Sequence, residues 1–213
     1  MVVIEQSAKW VQYVLGINLI EQAGRTCYKS EDKITADSAQ KFIEMIMKRG
    51  HLSVIEHVSA SVRFITNRGV THELVRHRLA SYSQESTRYV NYSKEKHGGS
   101  QITFIQPHWM DTTKDADGTD PKILAWINAM ASSEKAYNKL IKEGLPPQDA
   151  RGVLPIDLKT EIVMTANLRE WMHVFKLRCS KAAHPQMRAL MIPTLKMFQA
   201  AYPLIFDKIQ EAD

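Results

Sequence analysis

Residues 76 to 89 read Arg76-His77-Arg78-Leu79-Ala80-Ser81-Tyr82-Ser83-Gln84-Glu85-Ser86-Thr87-Arg88-Tyr89. Three basic residues, then a turn rich in hydroxyls and amides, then a further arginine are the groups that would cradle an oxyanion. Arginine offers phosphate a rigid fork of donors, and serine hydroxyls and loop N–H groups add short neutral ones. The same residues also suit a basic helix end that complements its own dipole and runs into a solvated loop. Ser86 has the type of a nucleophile, but arginines surround it where an activating base would be needed, so binding is the role its setting favours. His72-Glu73-Leu74-Val75-Arg76-His77 has the look of a zinc-protease helix. Three residues between Glu73 and His77, where that motif has two, rotate His77 off the shared face by about 100°, and no metal site is expected.

These residues need elements to hold them. The spacing of Ala39, Phe42, Ile43, Ile46 and Met47 predicts a helix from about Asp37 to Lys48, with Gly50 as its C-terminal cap. Ser59 to Ile65 alternates as a half-buried strand does, and Val2–Ile4 suits an edge strand. After Asn67-Arg68-Gly69 a short helix is expected through Val70, Leu74 and Val75 into Arg76-His77-Arg78. Residues 91–120 read as a long connection broken by one strand around Ile102–Ile105, with Gly98-Gly99, Pro107 and the polar run from Asp111 to Asp120 as loop chemistry. Helix returns from Ile123 to Leu140 and stops at Gly144. A strand over Glu161–Thr165, a helix over Leu168–Leu177 and a last helix opened by Pro185 complete the chain, with Pro193 expected to kink or interrupt that helix. Long helices with a few strands predict an α+β fold: a single domain over 1–213, with a small, mostly antiparallel sheet flanked by the helices.

The chain has 213 residues, 44% hydrophobic, 24% charged and 8% aromatic, which allows a sizeable core and excludes disorder, collagen-like repeats and a disulfide scaffold. Cys27 and Cys179 lack CxxC spacing and argue for a reducing compartment; with no apolar run of membrane length and no leader-like start, a cytoplasmic protein without membrane contact is expected. A net charge of +5 is compatible with nucleic acid, nucleotides or phosphorylated metabolites and selects none of them.

The order of the motif residues is more specific than their composition. Arg76-His77-Arg78, seven residues, then Ser86 resembles the defining motif of the flavin-dependent thymidylate synthases, and Ser81 and Arg88-Tyr89 match its extended pattern. Ser83 stands where that family often has asparagine. Gly24-Arg25-Thr26-Cys27-Tyr28, Gly50-His51-Leu52-Ser53-Val54-Ile55-Glu56-His57, Ala150-Arg151-Gly152-Val153-Leu154-Pro155 and the block from Asn167 to Arg178 resemble further family segments in the same order. Ala183-His184-Pro185-Gln186-Met187-Arg188 departs from the common His-Ala-Gln-Trp-Glu version.

The resemblance implies conversion of dUMP to dTMP, with methylenetetrahydrofolate as carbon donor and NADPH as reductant through bound FAD. It also implies a homotetramer with shared sites, which accords with the absence of a GxGxxG fingerprint. Neither cysteine lies in the Pro-Cys-Gln context of the classical thymidylate synthases. By resemblance Arg178 is the catalytic residue, stabilising negative charge on the uracil as N3 loses its proton. Arg88 and Arg151 would bind the dUMP phosphate, helped by Ser86 and the backbone through Gln84, Glu85 and Thr87, and Glu73 and Arg76 would touch the nucleotide. Arg76, His77 and Arg78 would contact FAD together with Ser53, Gln84, Asn167, Arg169 and His173. His51 would guard folate access and Tyr89 would help stack the pterin. The rival reading is a basic nucleic-acid-binding module, which the even spread of charge disfavours.

Overall fold

The computed structural model describes residues 1–94, 99, 101–111, 113 and 118–209. Gly98 and, within the polar run, Thr112, Lys114, Asp115, Ala116 and Asp117 lie outside the described residues, so that part of the expected connection is not described. In chain order the elements are β1 (Val2–Ile4), β2 (Ser7–Tyr13), α1 (Ile17–Tyr28), α2 (Ser38–Arg49), β3 (Ser59–Asn67), α3 (Arg68–Leu74), β4 (Ala80–Gln84), β5 (Thr103–Ile105), α4 (Pro121–Lys142), α5 (Pro147–Ala150), β6 (Lys159–Asn167), α6 (Leu168–Arg178), α7 (Pro185–Ala201) and α8 (Pro203–Phe206). Four strands hydrogen-bond in the order β2-β3-β6-β4 as a small antiparallel sheet, and β1 pairs with β5 in parallel, Val3 opposite Phe104. The α+β class is as expected.

The chain forms two compact units, each assembled from separated segments, and the division falls within β2, β3, β4 and β6. The first comprises Met1–Ser7, Phe64–Leu74 and Ser83–Ile162. Its core gathers Tyr92, Ile102, Phe104 and Leu158 with Met130 and Tyr137 of α4. Asp120 caps α4 by accepting from Lys122 N at 2.8 Å, with Pro121 in the first turn where its missing N–H costs nothing. Glu134 of that helix accepts from the Met1 ammonium at 2.9 Å and from Ile102 N at 2.6 Å, which ties β1 and the approach to β5 to one carboxylate. Asp157 takes Asn67 Nδ2 and Trp126 Nε1 on its two oxygens, each at 2.8 Å.

The second unit comprises Ala8–Arg63, Val75–Tyr82 and Val163–Asp213. Its core is an aromatic cluster: fully buried Trp171 stacks on Phe175 at 5.6 Å between centroids and meets Phe198 at 4.8 Å, and Phe206 closes on Phe198 at 5.1 Å. Between α1 and α2, a Cβ on Gly24 would lie 2.4 Å from the Phe42 ring, so only glycine allows that approach. Buried Glu21 on α1 accepts from Arg25 and from Ser38, the first residue of α2.

The expectation at Pro193 is corrected in one respect: α7 runs through it without interruption. The ring removes one N–H, but the neighbouring turn is held by the Thr194 hydroxyl on the Leu190 carbonyl at 2.8 Å and by burial of Leu190, Met191, Leu195 and Phe198. The second correction falls inside the motif: Ala80–Gln84, read from composition as part of a turn, is strand β4 beside β6, and the turn is confined to Thr87–Tyr89.

Candidate active site

In the first unit, Thr87 from the end of the motif lines a cavity of about 450 Å³. Glu85 N donates to the Glu161 carbonyl at 2.8 Å, continuing the pairing one residue past β4. The Gln84 amide donates to Thr71 Oγ1 at 3.0 Å and Thr160 Oγ1 at 3.2 Å, so its nitrogen is committed to two buried hydroxyls. The Glu85 carboxylate is also engaged, by the Tyr92 hydroxyl at 2.8 Å and Lys159 Nζ at 3.0 Å. Burial, followed by the Glu85 charge, drives the Tyr92 phenol far above its usual range and keeps it a donor. Ser86 Oγ accepts from Arg88 N at 3.3 Å and its carbonyl takes Val90 N at 3.0 Å, a hydroxyl that shapes the turn.

Thr87 is buried, and Arg151 Nη1 donates to its hydroxyl at 3.2 Å across 64 positions of sequence. Both line the cavity together with Arg68 and His72. Arg88 is exposed with its guanidinium 5.4 Å from the Tyr89 ring, and Tyr89 is 78% exposed, which leaves its free face open to stacking. Neither lines the cavity; Glu73 is half-buried on α3.

The second unit holds the other cluster. Arg178, on the last turn of α6, donates from Nε to His77 Nε2 at 3.0 Å, and His77 Nδ1 lies 3.5 Å from Glu170 Oε1. Because Nε2 accepts, a neutral ring must carry its proton on Nδ1, toward that carboxylate. His173, one helical turn after Glu170 and exposed, meets the His77 ring edge-on at 5.7 Å between centroids. The Tyr82 hydroxyl donates to the His77 carbonyl at 2.9 Å, and burial pushes that phenol up to about 12. Donor atoms of His77, Glu170 and His173 fall within 4.8 Å of one another, a spacing a metal could use. The guanidinium on Nε2 occupies one of those nitrogens and sets a positive charge beside the rest, which suits an anionic or polar ring better than a cation.

Burial first, then the charges of Arg178 and His173, lower the His77 pKa from 6.5 to about 4. Above pH 6.5 the ring is neutral folded or unfolded. Between 6.5 and 4 the unfolded chain takes a proton that the folded one refuses, so stability falls on acidification, by about 3 kcal/mol at most. Glu170, raised chiefly by burial and opposed by His173, acts in the other direction once it protonates. We expect urea-unfolding stability to decline from pH 6.5 to 4 and His77→Asn to flatten that decline; an unaltered slope in the variant would remove His77 as its source.

The remaining expected residues also lie in the second unit. Asn167 caps α6, its Oδ1 accepting from Glu170 N at 2.9 Å. Arg169 reaches Glu56 at 2.6 Å on the surface. His51 Nδ1 shares a 2.6 Å hydrogen bond with the Tyr28 hydroxyl. Ser53, Arg76 and Arg78 are exposed.

Residues 10–204 match the family model described as thymidylate synthase complementing protein. A flavin-dependent thymidylate synthase of Geobacter sulfurreducens is 36% identical over 191 residues, 86% of this chain and 78% of that protein. Another, of Mycobacterium tuberculosis, is 36% identical over 199 residues, 90% of this chain and 78% of that one. The chain belongs to the flavin-dependent thymidylate synthase family. The fold has a solved counterpart in the UMP/dUMP methylase PolB of Streptomyces cacaoi, bound with 5-Br dUMP, at TM-score 0.78 and 21% identity over 97% of this chain and 96% of that one. For a flavin-dependent thymidylate synthase sequence, three side chains in these clusters lie outside the residues that the motif marks: Arg68 and His72 at the cavity, and Glu170 against His77. Glu170 lies inside the family-like block from Asn167 to Arg178, and the sequence around His72 points only to a metal-binding pattern. Arg68 gave no signal beyond its charge.

Proposed function

We propose that this chain is an enzyme that methylates dUMP reductively to dTMP, taking carbon from methylenetetrahydrofolate and reducing equivalents from NADPH through a flavin, FAD. The observation that carries the reading is the meeting of Arg151 with Thr87 at a basic cavity, since two separately matched sequence blocks converge there. On this reading Arg151, Arg88 and the Ser86 turn hold the nucleotide phosphate, with Gln84 and Glu85 supplying backbone groups and Glu73 and Arg76 at its edge. Arg178 stabilises the negative charge that develops on the uracil, and neutral His77 fixes the direction of its guanidinium.

The donor set fits FAD. Arg76, Arg78, Arg169, His173 and Ser53 are exposed guanidinium, imidazole or hydroxyl donors, the chemistry that a dinucleotide's diphosphate and sugar hydroxyls require. The Arg169–Glu56 pair is about half-exposed at both ends, so solvent screens it and the arginine is free to exchange partners. Asn167 contributes through the helix start it organises, and Gln84 through its remaining amide oxygen. Bound there, the flavin supplies hydride transfer that no side chain here provides. His51 and Tyr89 would line the approach of folate and NADPH. The reading includes a homotetramer with shared sites, a cytoplasmic location and one functional domain over 1–213; free Cys27 and Cys179, and a division that cuts β3 and β6 themselves, support the last two. Among the described residues no helix is long and apolar enough to cross a membrane. The nucleic-acid reading finds no support, because Arg178 and Arg151 are turned onto His77 and Thr87.

The test is anaerobic. Purified protein with FAD should bleach on addition of NADPH, faster with dUMP present, and then form dTMP when methylenetetrahydrofolate is added. A protein that binds no FAD would overturn the proposal.

A further inference from the structure

Arg68 opens α3, directly after β3, and its backbone is fixed at both ends: its N–H donates to the Ile156 carbonyl at 3.0 Å and its carbonyl accepts the Thr71 hydroxyl at 3.0 Å. Its side chain reaches the cavity that Thr87, Arg151 and His72 also line. Its Nη1 is closed off from solvent and has no hydrogen-bond partner among the described residues. A buried guanidinium N–H left unpaired is costly, and folding alone gives no reason to hold it beside a second arginine. No carboxylate lines the cavity among the described residues, and the nearby carboxylate of Glu85 is already taken by Lys159 and Tyr92. The remaining lining is neutral, including Leu154 and Leu158. Two guanidinium groups, an imidazole and a hydroxyl around one cavity are complementary to a dianion and repel one another without it.

We infer that Arg68 is a phosphate ligand, its guanidinium taking the nucleotide's 5′-phosphate together with that of Arg151. This rests on the proposed dUMP reading and adds to it a residue that the family motif does not contain. Phosphate then balances the charge of two arginines that line one cavity without a carboxylate among the described lining residues.

The experiment uses the FAD-loaded, full-length protein and compares dUMP with deoxyuridine, which lacks the phosphate, by calorimetry. Arg68→Met should weaken dUMP binding by roughly 10- to 100-fold and leave deoxyuridine within about twofold, because a charge-assisted phosphate contact is lost and the nucleoside contacts remain. Arg68→Lys, which keeps the charge without the fork, should fall between. The melting temperature of the ligand-free Arg68→Met protein should be unchanged or higher. An unchanged dUMP-to-deoxyuridine ratio in both variants overturns the assignment, as does equal loss for both ligands with a lowered melting temperature, the mark of a structural role. If Arg68→Met does not fold, the Arg68→Lys ratio decides alone. A wild-type protein that does not prefer dUMP to deoxyuridine removes the function reading itself, and is told apart from the other failures because it needs no variant.

Discussion

Arg178→Ala is expected to lower turnover by about 10²–10³-fold while the protein keeps most of its flavin. The magnitude is that of removing one pre-oriented donor from a developing negative charge. Arg178 sits at the end of α6, and its Nε donates to His77 Nε2 at 3.0 Å, which fixes the direction of the guanidinium. His77 stays neutral because burial, Arg178 and His173 all lower its pKa, so the contact does not become a repulsion at neutral pH. Arg178→Gln separates charge from positioning, since its amide can still donate toward His77 but carries no charge. Flavin content by absorbance and kcat under saturating dUMP are the readouts. Recovery of turnover in Arg178→Gln would mean that Arg178 acts by positioning His77, and near-normal turnover in Arg178→Ala would dismiss it from the chemistry.

The largest stability effect is expected at Trp171. Truncation to alanine empties the centre of the cluster with Phe175 and Phe198 and strips the Ala60 carbonyl of the indole N–H that reaches it at 3.1 Å. Losses of about 3–5 kcal/mol are typical for such a site, against a total of about 5–15 kcal/mol for a domain. Trp171→Phe keeps ring contacts and gives up the hydrogen bond, so a smaller loss of about 1–2 kcal/mol is expected. Urea unfolding of ligand-free protein at one fixed concentration compares both variants with linkage to ligand removed and linkage to assembly held constant. A loss below about 1 kcal/mol for the alanine variant would show that the cluster collapses around the gap.

Where burial follows periodicity, the sequence was legible. Helix α2 lies within a residue or so of its expected limits because Asp37 and Gly50 bracket an apolar stripe whose Ala39, Phe42, Ile43 and Ile46 are all buried. Strand β3 extends two residues beyond the expected Ile65, with burial alternating along most of its length. By contrast β2 has no buried residue: it alternates only between exposed and half-buried over Ser7–Val11, a weak pattern to read. Helix α1 starts after Gly16 in a left-handed conformation, with no acidic residue in its first turn to announce it. Strand β4 is Ala-Ser-Tyr-Ser-Gln, a composition typical of loops; its place beside β6, set by tertiary structure, makes it a strand. At the candidate site the motif gave residue types but not partners. Thr87 and Arg151 are 64 positions apart, and His77 and Arg178 are 101, separations that local patterns do not encode.

Two joints in the chain have the same construction. Nine-residue β3 ends in Asn67, whose side chain accepts from Val70 N at 2.9 Å as α3 begins; nine-residue β6 ends in Asn167, which accepts from Glu170 N at 2.9 Å as α6 begins. No loop intervenes at either place, so each helix inherits its rotational phase from the last residue of a sheet strand. A single inserted residue there would turn the helix by about 100°. At the second joint that rotation would carry Arg178 off His77 and Trp171 out of the core in one movement. These joints therefore behave as gear teeth. They accept substitution that preserves the cap and reject any change of length, and variation in chain length among working relatives should fall elsewhere, in the segments that join helix to helix or helix to strand.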